Sequence, residues 1–221
     1  MKKAFEAGVN FFDTSALTPE SEKRLGEAIK AQKIRSDVVI ATKSVAKDSS
    51  HLERDVEKSI QNLETDFIDL YQIERSKPFF DGESDSEILE TLKKMKNDGI
   101  IRHFGIVTES MEVAQSTLLG WKPWETVQFP FNMLCALEVE QLVSEFARND
   151  IGFIAMRPLC GGVVSNIPLA LGYLRQFENV VPVWGAMNDE ELSQILYFTE
   201  NPPLVDEKFL EEVSVQRAFF N

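Results

Sequence analysis

The feature that most constrains this chain is a recurrence. Apolar runs of strand length begin at residues 9, 38, 67, 103, 126, 152 and 180, so successive starts lie 23 to 36 residues apart. The runs are Val9–Phe12, Val38–Thr42, Phe67–Ile73, His103–Val107, Thr126–Phe129, Gly152–Met156 and Val180–Trp184. Most are rich in Val, Ile and Phe and apolar on both alternations, the pattern of parallel strands covered on both faces. The stretches between them carry helical periodicity. Thr18-Pro19 places a cap ahead of a helix-start proline. Ser50 with Glu53 reads as a capping box opening a Glu53–Leu63 helix, and Ser84 with Glu87 as another, stopped at Gly99. Ile167–Phe177 is apolar enough for a buried helix. Each interval has the length of one βα unit.

Repeated βα units close into a (β/α)8 barrel or open into a doubly wound sheet. An open sheet favours a glycine-rich phosphate turn after an early strand. Here the first strand ends Asp13-Thr14-Ser15, and no G-x-G-x-x-G occurs in the chain. The expectation is an α/β fold, a TIM-type (β/α)8-like barrel with seven of its strands in the sequence. The chain opens on a helical pattern, Lys2–Ala7, so the missing first strand is expected ahead of residue 1. No Gly/Ser/Pro-rich linker divides the 221 residues, and one domain over 1–221 is expected.

Composition narrows the partners. A net charge of −13 repels nucleic acid and anionic lipid, and no apolar run has the length of a membrane span. The two cysteines, Cys135 and Cys160, are too few for a disulfide framework, a four-thiolate zinc site or an iron–sulfur cluster. A cytoplasmic chain with reduced thiols is expected. His51 and His103 lack metal-ligand spacing, so no metal site is expected. Cys160 precedes Gly161-Gly162 and reads as a buried, inert thiol rather than a reactive one. Phe79-Phe80 and Ala218-Phe219-Phe220 read as contact patches or as side chains packed back on the domain.

In such a barrel, functional side chains sit at the C-terminal ends of the strands. Those positions are Asp13, Lys43, Glu74, Thr108, Gln128, Arg157 and Gly185. Asp13, Lys43 and Glu74 follow three successive apolar runs and are expected to converge. Charges there are costly unless paired. The triad reads equally as an electrostatic or proton-transfer site and as a structural ion cluster.

The order of motifs resembles a known family. Gly8-Val9-Asn10-Phe11-Phe12-Asp13-Thr14-Ser15, Ser21-Glu22 and Leu25-Gly26-Glu27-Ala28 are similar to the opening signature of aldo/keto reductases. Val39–Lys43, Asp66–Gln72, Gly99–Ile106, Val127–Asn132, Pro158-Leu159 with Gly161-Gly162, and Gly185 with Glu190-Glu191-Leu192 continue in family order. The resemblance is nearest to the bacterial and archaeal branch that often carries a ferredoxin-like tail. It implies carbonyl reduction with NADH or NADPH through an Asp, Tyr, Lys and His tetrad. Carried over by position, the Asp is Asp13 and the Lys is Lys43, whereas the Tyr falls on Thr18 and the His on Glu74. An aliphatic hydroxyl is far too weak an acid to replace the phenol. Relatives that reduce carbon–carbon double bonds carry Glu at the His position but keep the Tyr.

The resemblance also implies cofactor contacts from Gln128, Arg157 and Gly185. The family's hydroxyl after Gly-Ile falls on Val107, its stacking Tyr on Met156, and no Lys or Arg occurs between Arg175 and Lys208. NADPH preference, which needs a cation for the 2′-phosphate, is therefore weakly supported. Two functions are expected. One is a degenerate barrel serving as a binding or assembly subunit. The other is an NAD(P)-dependent oxidoreductase in which Glu74, raised in pKa by burial, or a substrate group supplies the proton. Seven strands leave unpaired edges at Val9–Phe12 and Val180–Trp184, blunted at Pro182. A protein partner, a second copy, non-strand chain or a distortion of the barrel is expected to close the gap, with Val213–Phe220 the internal candidate.

Overall fold

The computed structural model describes residues 1–78, 83–119, 123–186 and 188–220, so Phe79-Phe80 lies outside the described residues. The chain divides into two compact units, Met1–Val127 and Gln128–Asn221. Seven strands follow one another in the sheet in chain order.

The first unit runs α1 (Lys2–Glu6), β1 (Phe11–Asp13), α2 (Pro19–Gln32), β2 (Val39–Ser44), α3 (Ser49–Leu63), β3 (Ile68–Glu74), α4 (Glu83–Asn97), β4 (Ile101–Val107) and α5 (Met111–Ser116). Strand β5 (Thr126–Pro130) straddles the boundary between the units. β1 to β4 pair in parallel, each with the next. β3 is buried along its first six residues, which is why its sequence is an apolar run with no alternation. Ile40, Leu52, Ile68, Ile73, Ile88 and Ile101 are fully buried between sheet and helices. Each contributes about 1.5–3 kcal/mol by leaving water. α2 crosses the end of α3 closely at Gly26, where an added Cβ would lie 2.5 Å from the Leu63 carbonyl carbon.

Two helix starts differ from expectation. α3 begins at Ser49, not Glu53, and its cap is Asp48, whose carboxylate accepts the His51 N–H at 2.7 Å. A carboxylate at that place satisfies an orphan donor and also meets the positive end of the helix, so it displaces the hydroxyl of Ser50 from the role. α4 begins at Glu83, placing Ser84 inside the helix rather than ahead of it. Thr18 does precede α2 with Pro19 in the first turn, and Gly99 ends α4 at φ +76°.

At the N-terminal ends of the strands, Asp69 accepts the Ile40 N–H at 3.0 Å and pairs with Arg35 at 2.8 Å and Arg102 at 2.9 Å. Both guanidinium carbons stand 3.9 Å from the Phe67 ring centroid. This cluster pins β2, β3 and β4 in register away from the strand ends that carry the candidate site.

The second unit contains α6 (Leu137–Arg148), β6 (Gly152–Met156), α7 (Ile167–Leu174), β7 (Val180–Pro182), α8 (Asp189–Glu200) and α9 (Glu207–Phe220). β6 and β7 pair in parallel. Phe131, Phe146, Phe153, Tyr173 and Phe177 form a contiguous ring cluster, with Phe131 edge-on to Phe153 at 5.7 Å and to Phe177 at 5.0 Å. α7 is buried at every position but Pro168, as its composition requires. The Val213–Phe220 segment is helical, being the C-terminal part of α9. α9 docks by Phe209, whose ring fills the space a Cβ at Gly172 would take, and by Arg217, which donates to the Met133 carbonyl at 2.6 Å and pairs with Glu140. Phe219 and Phe220 are exposed. Among the described residues no helix is long and apolar enough to cross a membrane.

Candidate active site

Strand register fixes the candidate site of the first unit. The pairs Asp13↔Ala41, Lys43↔Gln72, Gln72↔Gly105 and Glu74↔Val107, with side chains alternating along each strand, put Asp13, Lys43, Gln72, Glu74 and Val107 on one face. Lys43 Nζ lies 2.6 and 2.8 Å from the two Asp13 carboxylate oxygens and 2.9 Å from the Thr14 carbonyl. An ammonium has three donors, and three acceptors surround this one. The side chains are 15% and 9% exposed, so the pair is nearly desolvated.

Glu74 does not join them. It ends β3, is exposed, and makes no ion pair with Lys43 or any other described residue. The converging triad is therefore a pair, and Glu74 is exposed at the strand end rather than buried as expected. Thr18, at the phenol position, is exposed, and its hydroxyl donates to the Ser15 carbonyl at 3.1 Å. Val107 is buried, and its side chain has no hydrogen-bonding atom.

The chain's three tyrosines can be followed individually. Tyr71 alternates to the face opposite Lys43, is fully buried, and burial pushes its phenol up. Burial, together with the Glu140 carboxylate, also pushes the Tyr173 phenol up, and its O–H donates to Glu140 at 2.8 Å. Tyr197 lies on α8, 59% exposed.

Three residues beside this face escaped sequence reasoning. Gln72 is fully buried, and neither amide atom has a partner among the described residues. Glu22 is fully buried and held by neutral donors, the Thr42 hydroxyl at 2.8 Å and the Asn62 amide at 2.9 Å. Thr14 is buried and donates to the Ser21 hydroxyl at 2.9 Å. Their motifs, Leu-Tyr-Gln and Ser-Glu, were visible, but burial of polar side chains leaves no periodic signal.

The second unit carries the remaining candidates. Gln128 is buried on β5. Arg157 follows β6, exposed and left-handed at φ +56°. Gly185 is exposed after β7, and a Cβ there would meet nothing within 4 Å. The structure shows no packing reason for glycine at that position. Met156 occupies the position at which the family resemblance implies a stacking ring. These residues offer a nicotinamide dinucleotide one amide and one cation, without the paired hydroxyl, the stacking ring or any Lys or Arg between Arg175 and Lys208. The fit is poor.

Comparison with known proteins accords with the motif order. The model of the aldo/keto reductase family matches residues 1–180. The chain is 29% identical over 178 residues to the aldo-keto reductase YhdN of Bacillus subtilis, covering 75% of this chain and 52% of that protein. It is 27% identical over 203 residues to L-galactose dehydrogenase of Arabidopsis thaliana, covering 86% and 60%. The chain thus spans between about half and two thirds of these relatives. Among solved structures it superposes on the holo form of aldo-keto reductase AKR11C1 from Bacillus halodurans with a TM-score of 0.82 at 20% identity, covering 96% and 85% of the two chains. An aldo/keto reductase from Klebsiella pneumoniae in complex with NADP and acetate gives 0.81 at 18% identity, covering 97% and 82%. At such identities the likeness is one of fold. It is the (β/α) barrel type expected from the sequence, with seven strands among the described residues.

Proposed function

The chain belongs to the aldo/keto reductase family, and on that premise we propose that it is a member that has lost carbonyl reduction and acts as a binding or assembly subunit. One observation carries this reading: no phenol of the chain is available as a proton donor. Reduction of a carbonyl leaves an alkoxide that must be protonated as it forms. Tyr71 faces away from Lys43, Tyr173 is committed to Glu140, Tyr197 faces solvent, and Thr18 at the donor position is an alcohol. Lys43, which would lower the pKa of a phenol, is instead saturated by Asp13 and the Thr14 carbonyl.

The partner in this reading is a protein or a second copy of the chain, met at the outer strand edges. β7 is three residues long and ends at Pro182, with Val181 44% exposed. As the last strand in the sheet order, β7 suits strand addition better than open solvent. The cytoplasm, where unpaired thiols stay reduced, is the matching compartment.

Tryptophan-quenching titration with NADH and NADPH, followed by turnover of a generic aldehyde, tests the proposal. The expected result is no turnover at any cofactor concentration. Cofactor oxidation coupled to aldehyde loss overturns it. That result would install the second reading, an NAD(P)-dependent oxidoreductase whose proton comes from Glu74 or the substrate, for which the intact Asp13–Lys43 pair is the supporting observation.

A further inference from the structure

The two cysteines occupy equivalent places in adjacent loops of the second unit. After β5, the Cys135 N–H donates to the Asn132 carbonyl at 3.1 Å. After β6, the Cys160 N–H donates to the Arg157 carbonyl at 2.8 Å. Each cysteine is thus the closing residue of a four-residue turn that begins within two residues of the end of its strand, and the ends of such a turn lie within about 7 Å of one another. The turns are tied together at their first residues. Phe131 N–H donates to the Met156 carbonyl at 3.1 Å, and the Asn132 side-chain amide donates to the Arg157 carbonyl at 3.1 Å. Neighbouring parallel strands stand about 4.8 Å apart, so two matched turns carry their closing residues side by side. The thiols also fall within each other's electrostatic reach.

We propose that Cys135 and Cys160 form an oxidation-sensitive dithiol that closes to an intramolecular disulfide under peroxide. Both are free and neither is fully buried. The Cys160 loop combines two conformational features. Arg157 and Cys160 are left-handed at φ +56° and +49°, and Gly161 and Gly162 follow at +66° and +94°. Non-glycine residues in that region store strain, and the glycines beside them give the loop room to rearrange.

The order of attack follows from the surroundings. Burial pushes the Cys135 thiol up, so it holds its proton and attacks second. The Cys160 sulfur, next to exposed Gly161 and Gly162, attacks the peroxide O–O bond while its S–H proton passes to the leaving oxygen, giving the sulfenic acid and one water. Cys135 sulfur then attacks the sulfenic sulfur. The S–S bond forms as the S–O bond breaks, and the hydroxyl leaves with the Cys135 proton as a second water. Two thiols lose two electrons, and the peroxide gains them. The bond would join the loop carrying Arg157 to the loop after β5 and lock both.

Trypsin separates the cysteines, because cleavage at Arg148 leaves Cys135 in residues 103–148 and Cys160 in 149–175, the latter intact because Pro158 follows Arg157. The full chain is treated with hydrogen peroxide, alkylated under native and denaturing conditions, digested and weighed. The expected product is the two peptides joined, two hydrogens lighter than their sum, at a rate independent of protein concentration. In Cys135→Ser the reaction is expected to stop at a Cys160 sulfenic acid trapped by dimedone, and in Cys160→Ser Cys135 is expected to stay alkylatable. Separate oxidation of each cysteine in the unmutated chain, or cross-links only between molecules, overturns the proposal.

Discussion

Replacing Lys43 with methionine keeps the length of the side chain and removes its charge. Asp13 then keeps a carboxylate that is 9% exposed, without the ammonium that contacts both its oxygens at 2.6 and 2.8 Å. Removing one partner of such a pair costs about 3–5 kcal/mol, far above the worth of a solvated pair, because the remaining charge cannot recover its hydration. At about 2–4 °C per kcal/mol for a chain of this size, the melting temperature falls by roughly 6–20 °C. Asp13→Asn with Lys43→Met removes both charges, so the double variant is expected to recover most of the loss and to show a coupling of about 2 kcal/mol. Urea denaturation of the four proteins, followed by circular dichroism, reads the cycle. A Lys43→Met cost below about 1 kcal/mol with no coupling would mean that water solvates the pair, and the argument that Lys43 is committed to structure would fall.

Gln72→Met is expected to stabilise the chain by about 1–3 kcal/mol, since it removes two desolvated amide atoms that have no partner among the described residues, and a loss of stability refutes this. Gly26→Ala gains about 1 kcal/mol in a free helix. Here the backbone of Leu63 reverses the sign, and denaturation should show a loss of about 1–3 kcal/mol. Burial pushes the Glu125 carboxyl up, but hydrogen bonds from Lys96, His103 and the Phe104 N–H outweigh it and hold the group below the usual glutamate range. Its stabilising contribution is full above the unfolded glutamate value and is lost as pH falls through the lowered one. Glu125→Gln should therefore flatten the stability profile on the acid side alone, and an unchanged profile contradicts it. Any nucleotide affinity should favour NADPH over NADH by less than tenfold, about 1.4 kcal/mol, because no Lys or Arg occurs between Arg175 and Lys208, and a larger preference in paired titrations refutes this.

What the sequence determined by itself is whatever depends on neighbours along the chain. Seven apolar runs specify seven strands because a strand buried on both faces has no polar alternation, and β3 and β6 lie within a residue of their expected bounds. Thr18-Pro19 and Gly99 mark helix ends because φ is fixed at proline and free at glycine. Motif order, which needs only linear spacing, likewise gave the family. The tertiary structure decided everything that depends on who stands across the gap. Ser50 and Asp48 are both good caps by composition, and the path of the chain into α3 chose between them. From sequence the C-terminal residues read as contact patches or as cover for the open strand edges. They are helical as α9, docked where Phe209 meets Gly172 and Arg217 finds Met133, Glu140 and Tyr173, contacts spanning dozens of residues. Asp13, Lys43 and Glu74 are alike in sequence, each a charge after an apolar run. Only the sheet separates them, because register brings Asp13 onto Lys43 while the end of β3 carries Glu74 into water, and the energy of a charge is set by what surrounds it in space.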